Sequence, residues 1–167
     1  MMQERLVFEI HTQVMALRTG YIGLHTVLAN VREQTDFRPA PDEWSIKEVV
    51  GHLGDALELF SEHVRHIATC TPGHLCHYDE GQLVRDHRHQ EQSFDLLKAR
   101  LTCLHLEFER LLLWLPLEAW SLKAEHEAWG TTSIRQLLQL LAAHYAMHTE
   151  QVQQIHQCYQ LSITGAA

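Results

Sequence analysis

The segment His144-Tyr-Ala-Met-His148 places two histidines four positions apart. On a helix, residues with this spacing project from one face, about 40° apart around the axis and about 6 Å apart along it. Two imidazoles in that arrangement can bind one metal ion. Both histidines fall on or beside an apolar stripe, where an unpaired buried polar group costs about 1–3 kcal/mol. The pair predicts a metal site, with hydrogen-bonded core histidines as the alternative.

A third candidate ligand, His52, flanks the apolar stripe of another predicted helix, near the start of that helix. Asp55 follows it by about one turn, so its carboxylate could be a fourth ligand or could orient an imidazole through a hydrogen bond. A solvated helix carboxylate is an equal alternative for Asp55. His63 lies near the azimuth of His52 but about 16 Å further along the axis, which is too far to share its metal.

The chain contains 14 histidines, and most of them lack ligand-like spacing. A loop cluster of ligand-like residue types, His74, Cys76, His77 and Asp79, could form a second, adventitious site. The remaining histidines are predicted to be surface groups (His87, His89, His126) or helix residues at the boundary between core and surface rather than ligands (His11, His25, His105, His156).

Four long helical patterns must position these side chains. The first covers about 3–32, and a connector with two prolines follows it. Ser45 and Glu48 form a capping box that predicts the start of the second helix, which ends near Cys70. The third runs from about Arg85 to Leu115 and is closed by Pro116. Thr132 or Ser133 caps the fourth, which ends near Leu161.

The connections between the helices contain the chain's breakers. The stretch 71–84 includes two glycines and a proline and is predicted to be a loop. The stretch after Pro116, with Trp120, Trp129 and Gly130, is predicted to be irregular. Together these patterns predict an all-α four-helix bundle with long connections, forming one domain over residues 1–167.

Composition excludes several classes of function. The formal net charge is −8, with 21 acidic and 13 basic side chains, so the chain should repel nucleic acids and anionic membranes. It has neither an apolar run of about 20 residues nor a signal peptide, which predicts a cytoplasmic protein. The four cysteines are therefore predicted to be free thiols, with a Cys70–Cys76 disulfide as the lesser alternative.

Two stretches resemble the DinB-like metal-binding bundles. DEWSIKEVVGHLGDALE is similar to their second helix, and TTSIRQLLQLLAAHYAMHTEQVQQI, with its HxxxHxxQ signature, is similar to their fourth. The resemblance implies four helices running up-down-down-up. It also implies that His52, His144 and His148 bind one divalent metal, with nickel or zinc as the best candidates. Gln151 matches the glutamine of the signature, which the resemblance makes a supporting residue rather than a ligand.

Three nitrogen ligands would leave the metal with open positions, the arrangement of catalytic rather than structural sites. The resemblance implies a transferase that uses a low-molecular-weight thiol on small electrophiles. A metal-dependent hydrolase and a non-catalytic metal-binding or interaction bundle are the alternatives. The resemblance also implies a homodimer, because long bundles of this family commonly pair. The four tryptophans and abundant leucines leave apolar surface that could be buried between two chains. The sequence contains no GxSxG, P-loop or GxGxxG motif that would support other catalytic classes.

Overall fold

The computed structural model describes residues 2–31, 33–69 and 74–165. The elements in chain order are α1 (Met2–Ala29), α2 (Ile46–Ala68), β1 (His74–Leu75), α3 (Glu80–Asp86), α4 (Phe94–Leu113), β2 (Lys123–His126), β3 (Gly130–Ser133) and α5 (Ile134–Thr164). Short 3-10 turns occupy Gln34–Asp36, His89–Glu91 and Leu117–Ser121. Among the described residues, no helix is long and apolar enough to cross a membrane.

The four long helices form the predicted bundle, and pairs of contacts give their directions. Residue numbers rise in the same direction along α1 and α5. Glu9 of α1 bonds Arg135 of α5, and Gln34, which follows α1, bonds His156 further along α5. They rise in opposite senses along α1 and α4, where Arg18 bonds Glu109 and Tyr21 bonds Thr102. Helices α1 and α5 are therefore parallel, and α4 is antiparallel to both, as the up-down-down-up order requires.

One apolar cluster fills the bundle. Every long helix contributes buried side chains to this core, including Leu17, Leu24, Val50, Leu53, Leu101, Phe108, Leu138 and Leu141. The core also contains a polar seam, in which His105 Nδ1 lies 3.1 Å from the Tyr145 hydroxyl and stacks against Tyr21 at 3.7 Å between ring centroids. The seam fixes the mutual rotation of α1, α4 and α5.

The predicted starts of the second and fourth long helices are confirmed, and each start is a capping box. Ser45 accepts a bond from the backbone of Glu48, whose side chain bonds back to the Ser45 backbone. Ser133, rather than Thr132, caps α5 with Gln136 in the same reciprocal way. Such caps satisfy backbone N–H groups that a helix start leaves unpaired, so their sequence signature marks the boundary reliably.

The predicted third helix is wrong at its start. Helix α4 begins at Phe94 instead of Arg85, because α3 ends at Asp86 and Arg88 adopts a left-handed conformation with φ of 52°. The expected loop over 71–84 is also wrong in its described part, because β1 forms there and α3 begins at Glu80, capped by Asp79. The N-terminal part of that loop lies outside the described residues, as does the Cys70 half of the possible disulfide.

The stretch predicted to be irregular contains a β-hairpin. Strands β2 and β3 pair antiparallel, with His126 opposite Gly130, and β1 pairs parallel to β2. Gly130 has a φ of 66°, a conformation that glycine adopts without a steric penalty. The sheet ties the α2–α3 connection to the α4–α5 connection at one end of the bundle.

Candidate metal centre

Helices α2 and α5 bring the three sequence-predicted histidines together. His52 is completely buried on α2, and its Nε2 lies 2.8 Å from the Nε2 of His144. The ring of His148 lies 4.9 Å from that of His52 and 4.4 Å from that of His144, measured between centroids. One nitrogen from each of the three rings lies within 4.8 Å of the other two. The imidazoles therefore share one small volume inside the bundle.

Gln151 determines which nitrogen of His148 faces that volume. The Nδ1–H of His148 donates to Gln151 Oε1 at 2.7 Å, an assignment that follows from the amide oxygen being an acceptor. The other ring nitrogen, Nε2, then carries a lone pair. Within the described residues this buried Nε2 has no hydrogen-bond partner. A buried nitrogen without a protein partner calls for an explanation, and a role as metal ligand supplies one.

Burial keeps the three imidazoles neutral at pH 7. Desolvation, followed by the proximity of His148 and His144, lowers the pKa of His52 to about 3. Desolvation and then His148 lower the pKa of His144 to about 4. Burial likewise lowers the pKa of His148. Neutral imidazole is the form that binds metals, so no proton has to be removed at neutral pH before a metal can bind.

The geometry fits a divalent transition ion. Zn–N bonds of about 2.0–2.1 Å in a tetrahedral site place neighbouring nitrogens about 3.3 Å apart. The 2.8 Å between the Nε2 atoms of His52 and His144 needs only a slight widening to reach that value. Trp44 covers one side of the cluster, stacked on His148 at 6.3 Å and tilted against His52 at 4.9 Å between centroids.

Helix α3 contributes a carboxylate that the sequence analysis missed. Glu80 Oε2 lies 3.7 Å from His52 Nε2, and burial followed by the proximity of Asp79 raises the pKa of Glu80, against an opposing effect of His77. Burial, followed by the negative charges of Glu80 and Asp55, raises the pKa of Tyr78. The available sequence signal for α3 was Asp79. Aspartate is favoured at the N-cap position of a helix, and here its side chain accepts a bond from the backbone N–H of Gln82.

Asp55 lies one turn from His52 but makes its short contacts elsewhere. Its Oδ2 lies 2.7 Å from His89 Nε2 and 3.0 Å from His87 Nδ1, and its Oδ1 accepts a bond from Arg100 at 2.9 Å. Burial alone would raise the pKa of Asp55, but the bonds from His89 and Arg100 lower it overall. Asp55 therefore belongs to a second cluster rather than to the three-histidine one.

Two histidines predicted to be surface groups are buried instead. His89 packs under Asp55, and His126 lies in the sheet, where its Nδ1 accepts bonds from the backbone of Ala128 and Trp129. Such burial was not predictable from sequence because both residues lie outside helical periodicity. The loop cluster of His74, Cys76 and His77 is largely exposed. In the part of the chain that the structure describes, it is not among the groups whose ligand atoms converge.

An open groove adjoins the three histidines. Its volume is about 640 Å³, and Trp44 and Gln151, which both contact His148, form part of its wall. The rest of the wall combines apolar side chains with polar and acidic ones; its residues are Pro39, Asp42, Glu43, Gln154, Ile155, Gln157 and Cys158. The groove runs along α5 and reaches Trp44 and Gln151 beside His148.

Fold and site together define a four-helix bundle with a candidate three-histidine metal centre between its second and last long helices. A family model of the DinB superfamily matches residues 23–152, which is more than half of the chain. The chain belongs to the DinB superfamily. No curated protein matches it.

Two solved structures share the fold. YfiT from Bacillus subtilis, described as a probable metal-dependent hydrolase with an unusual four-helix bundle topology, is 17% identical with a TM-score of 0.77. That match covers 89% of this chain and 86% of YfiT. A mycothiol-dependent maleylpyruvate isomerase is 12% identical with a TM-score of 0.73, over 84% of this chain. This chain spans only 59% of the isomerase. At these identities the likeness establishes the fold.

Proposed function

We propose that this protein binds one divalent transition metal, nickel or zinc, through His52, His144 and His148, and uses it to transfer a low-molecular-weight thiol to small electrophiles. The observation that carries the proposal is the convergence of three neutral imidazoles in one buried volume beside an open groove. Three protein ligands leave room in the coordination sphere for a further molecule, as in catalytic zinc sites.

A divalent metal held there would lower the pKa of a coordinated thiol or water and so supply a nucleophile at neutral pH. The chain's own residues would perform the remaining tasks. Gln151 holds the ring of His148 in one tautomer, and Trp44 excludes water from one side of the cluster. The carboxylate of Glu80, 3.7 Å from His52 Nε2, is placed to accept the proton that the nucleophile loses.

The thiol hypothesis draws on the mycothiol-dependent isomerase among the proteins of similar fold, and on the net charge of −8. An acidic chain favours a small substrate over a polymeric anion. In the proposed reaction the thiolate sulfur forms a bond to an electrophilic carbon. With a haloarene, the halide leaves with the bonding electrons and the thiol proton passes through Glu80 to solvent. With an epoxide, the C–O bond breaks with its electrons on oxygen, and that oxygen takes up the proton.

A metal-dependent hydrolase is the second candidate, and Glu80 is the observation that favours it. A carboxylate beside an open metal position can act as a general base toward water. YfiT, the probable hydrolase of similar fold, supports the same interpretation. A bundle that binds metal without catalysis is the third.

Metal analysis of protein purified without a nickel resin tests the binding step. We expect one tightly bound equivalent at the three-histidine site of the wild type. His52→Ala, His144→Ala and His148→Ala should each weaken binding by more than about 100-fold, since even supporting residues outside the coordination sphere contribute about 10–100-fold. His25→Ala, which removes an exposed histidine of α1, is the matched control and should change nothing. Undiminished tight binding in any two of the three variants would refute the ligand assignment.

Activity assays then separate the candidates. Metal-loaded protein is incubated with bacillithiol, mycothiol or glutathione and a chromogenic haloarene or epoxide. Metal-dependent turnover that disappears in His148→Ala supports the transferase. Hydrolysis of ester or amide substrates without thiol would support the second candidate. A metal-dependent rate no higher than the uncatalysed one in all these assays would favour the non-catalytic bundle.

A further inference from the structure

We infer that Asp55, His87 and His89 form a second divalent-metal site, distinct from the three histidines. The Oδ2 atom of Asp55 lies 2.7 Å from His89 Nε2 and 3.0 Å from His87 Nδ1. These three ligand atoms all lie within 4.8 Å of one another, as tightly grouped as those of the first cluster. Two imidazoles and one carboxylate are a ligand set that divalent first-row metals favour.

The backbone is built to deliver the two histidines to Asp55. Arg88, which stands between them, adopts a left-handed conformation with φ of 52°. This conformation is costly for a residue other than glycine, and it turns the segment back onto α2. The rings of His87 and His89 end 5.5 Å apart at 75°. Both therefore present a nitrogen to the same carboxylate oxygen.

Helix α2 carries a recess for one of these rings. A Cβ atom at Gly51 would lie 2.2 Å from His89 Cγ, so only a glycine at this position lets the ring approach the helix. His89 is 1% exposed and Asp55 is 2% exposed, whereas His87 is 45% exposed. The site is thus anchored inside the fold and open to solvent through His87, which provides a path of entry and room for further ligands.

The positive charge of Arg100 beside Asp55 does not prevent a cation from binding. Its Nη2 bonds Asp55 Oδ1 at 2.9 Å and also Glu58 Oε2 at 2.8 Å, so two carboxylates share one guanidinium charge. The group of three charges keeps a net charge of −1, which attracts a cation. The bond to Oδ1 also fixes the carboxylate and leaves Oδ2 for the metal, the role that supporting residues have around metal ligands.

Binding requires a tautomer change but no loss of a partner for the ring. Gln92 Nε2 now lies 3.3 Å from His89 Nδ1, which makes His89 Nε2 the donor to Asp55. A metal at Nε2 moves the ring proton to Nδ1. Rotation of the Gln92 amide would turn its oxygen toward that proton, at the cost of the 2.8 Å bond that its Nε2 donates to the His87 carbonyl.

The test measures stoichiometry by titration with Co²⁺ or Zn²⁺, using variants that isolate each site. We expect two equivalents in the wild type, one in His144→Ala/His148→Ala and one in His87→Ala. His87 is half-exposed, so its removal should leave the fold intact, and His87→Asn serves as a second variant that keeps a polar group. His11→Ala/His25→Ala removes two exposed histidines of α1 and should retain two equivalents.

The inference is overturned if the wild type binds no more metal ions per chain at saturation than His87→Ala does. It is also overturned if the metal retained by His144→Ala/His148→Ala is unaffected by adding His87→Ala, which identifies that metal as adventitious. Neither result bears on the three-histidine proposal. That proposal instead fails if His87→Ala and His87→Ala/His144→Ala/His148→Ala bind the same number of ions.

Discussion

His148 donates its Nδ1–H to Gln151 Oε1 over 2.7 Å, one turn along the same helix. The two residues are three positions apart, which places them on one face of α5. The bond selects the tautomer whose Nε2 lone pair points into the histidine cluster. Gln151 thereby orients the candidate ligand His148.

Gln151→Leu should weaken metal binding by about 10–100-fold, because loss of the acceptor lets His148 rotate and change tautomer. Isothermal titration with Zn²⁺ measures the change. Gln153→Leu, at an exposed position of the same helix, should leave the affinity unchanged. Equal affinities in the two variants would mean that the Gln151 bond does not organise the site.

Gly51→Ala should destabilise the protein by about 1–3 kcal/mol, because the added methyl group would overlap the His89 ring and force it to move. The gain of about 1 kcal/mol in helix propensity offsets this cost only in part. Gly23→Ala is the matched control and should stabilise α1, since no described atom lies within 4 Å of the place its methyl group would occupy. Urea unfolding measures both. Stabilisation of similar size in the two variants would show that His89 has room to spare.

Stability should fall as the pH is lowered from 6.5 toward 4, and His105 should account for part of the loss. Burial lowers the pKa of His105 to about 4, against opposing effects of Glu109, while Arg18 lowers it further. Unfolded histidine titrates near 6.5, so between these values the unfolded state binds more protons and acid favours unfolding. Tyr21 and Tyr145 cover the ring on the other sides.

Between pH 6.5 and 4.5, the free energy of unfolding should fall by about 1–2 kcal/mol less in His105→Gln than in the wild type. The measurement is the free energy of unfolding in urea at several pH values. His25→Gln, at an exposed position, should keep the slope of the wild type. The same slope in His105→Gln would assign the acid sensitivity to other buried histidines.

The homodimer expected from sequence remains a prediction, and α1 offers the surface for it. Phe8, Met15 and Ile22 are exposed at a spacing of seven residues, which aligns them along one face pointing away from the core. Met15→Glu should therefore convert a dimer into a 19.3 kDa monomer in light scattering. Leu106→Glu, on the exposed side of α4, should leave the dimer intact. A wild type that is already monomeric at micromolar concentration would refute the prediction.

The helices and the three-histidine cluster could be predicted from sequence because their signals are periodic or local. Ser45 with Glu48 marks a helix start within four residues, and His144 with His148 shares a helix face by spacing alone. Only the family resemblance predicted that His52 joins these two histidines, because no local sequence rule brings α2 next to α5. The structure places all three together.

The features missed from sequence depend on contacts between distant segments. Helix α4 starts late because His87 and His89 turn back toward Asp55, more than 30 residues earlier in the chain. The β2–β3 hairpin has a mostly polar sequence, so its strands lack the apolar alternation that predicts a half-buried strand. Glu80 approaches His52 only because α3 folds over α2, which no local pattern reports.

His144 follows His52 by 92 positions, and this separation has a consequence for the timing of synthesis. Ribosomes add about 5–20 residues per second, so His52 is made about 5–20 s before its first partner. During that interval the apolar face of α2 has no α5 to cover it, and the three nitrogens cannot yet meet. The three histidines are therefore expected to converge only after α5 has been translated, so the proposed metal would load late in the synthesis of this domain.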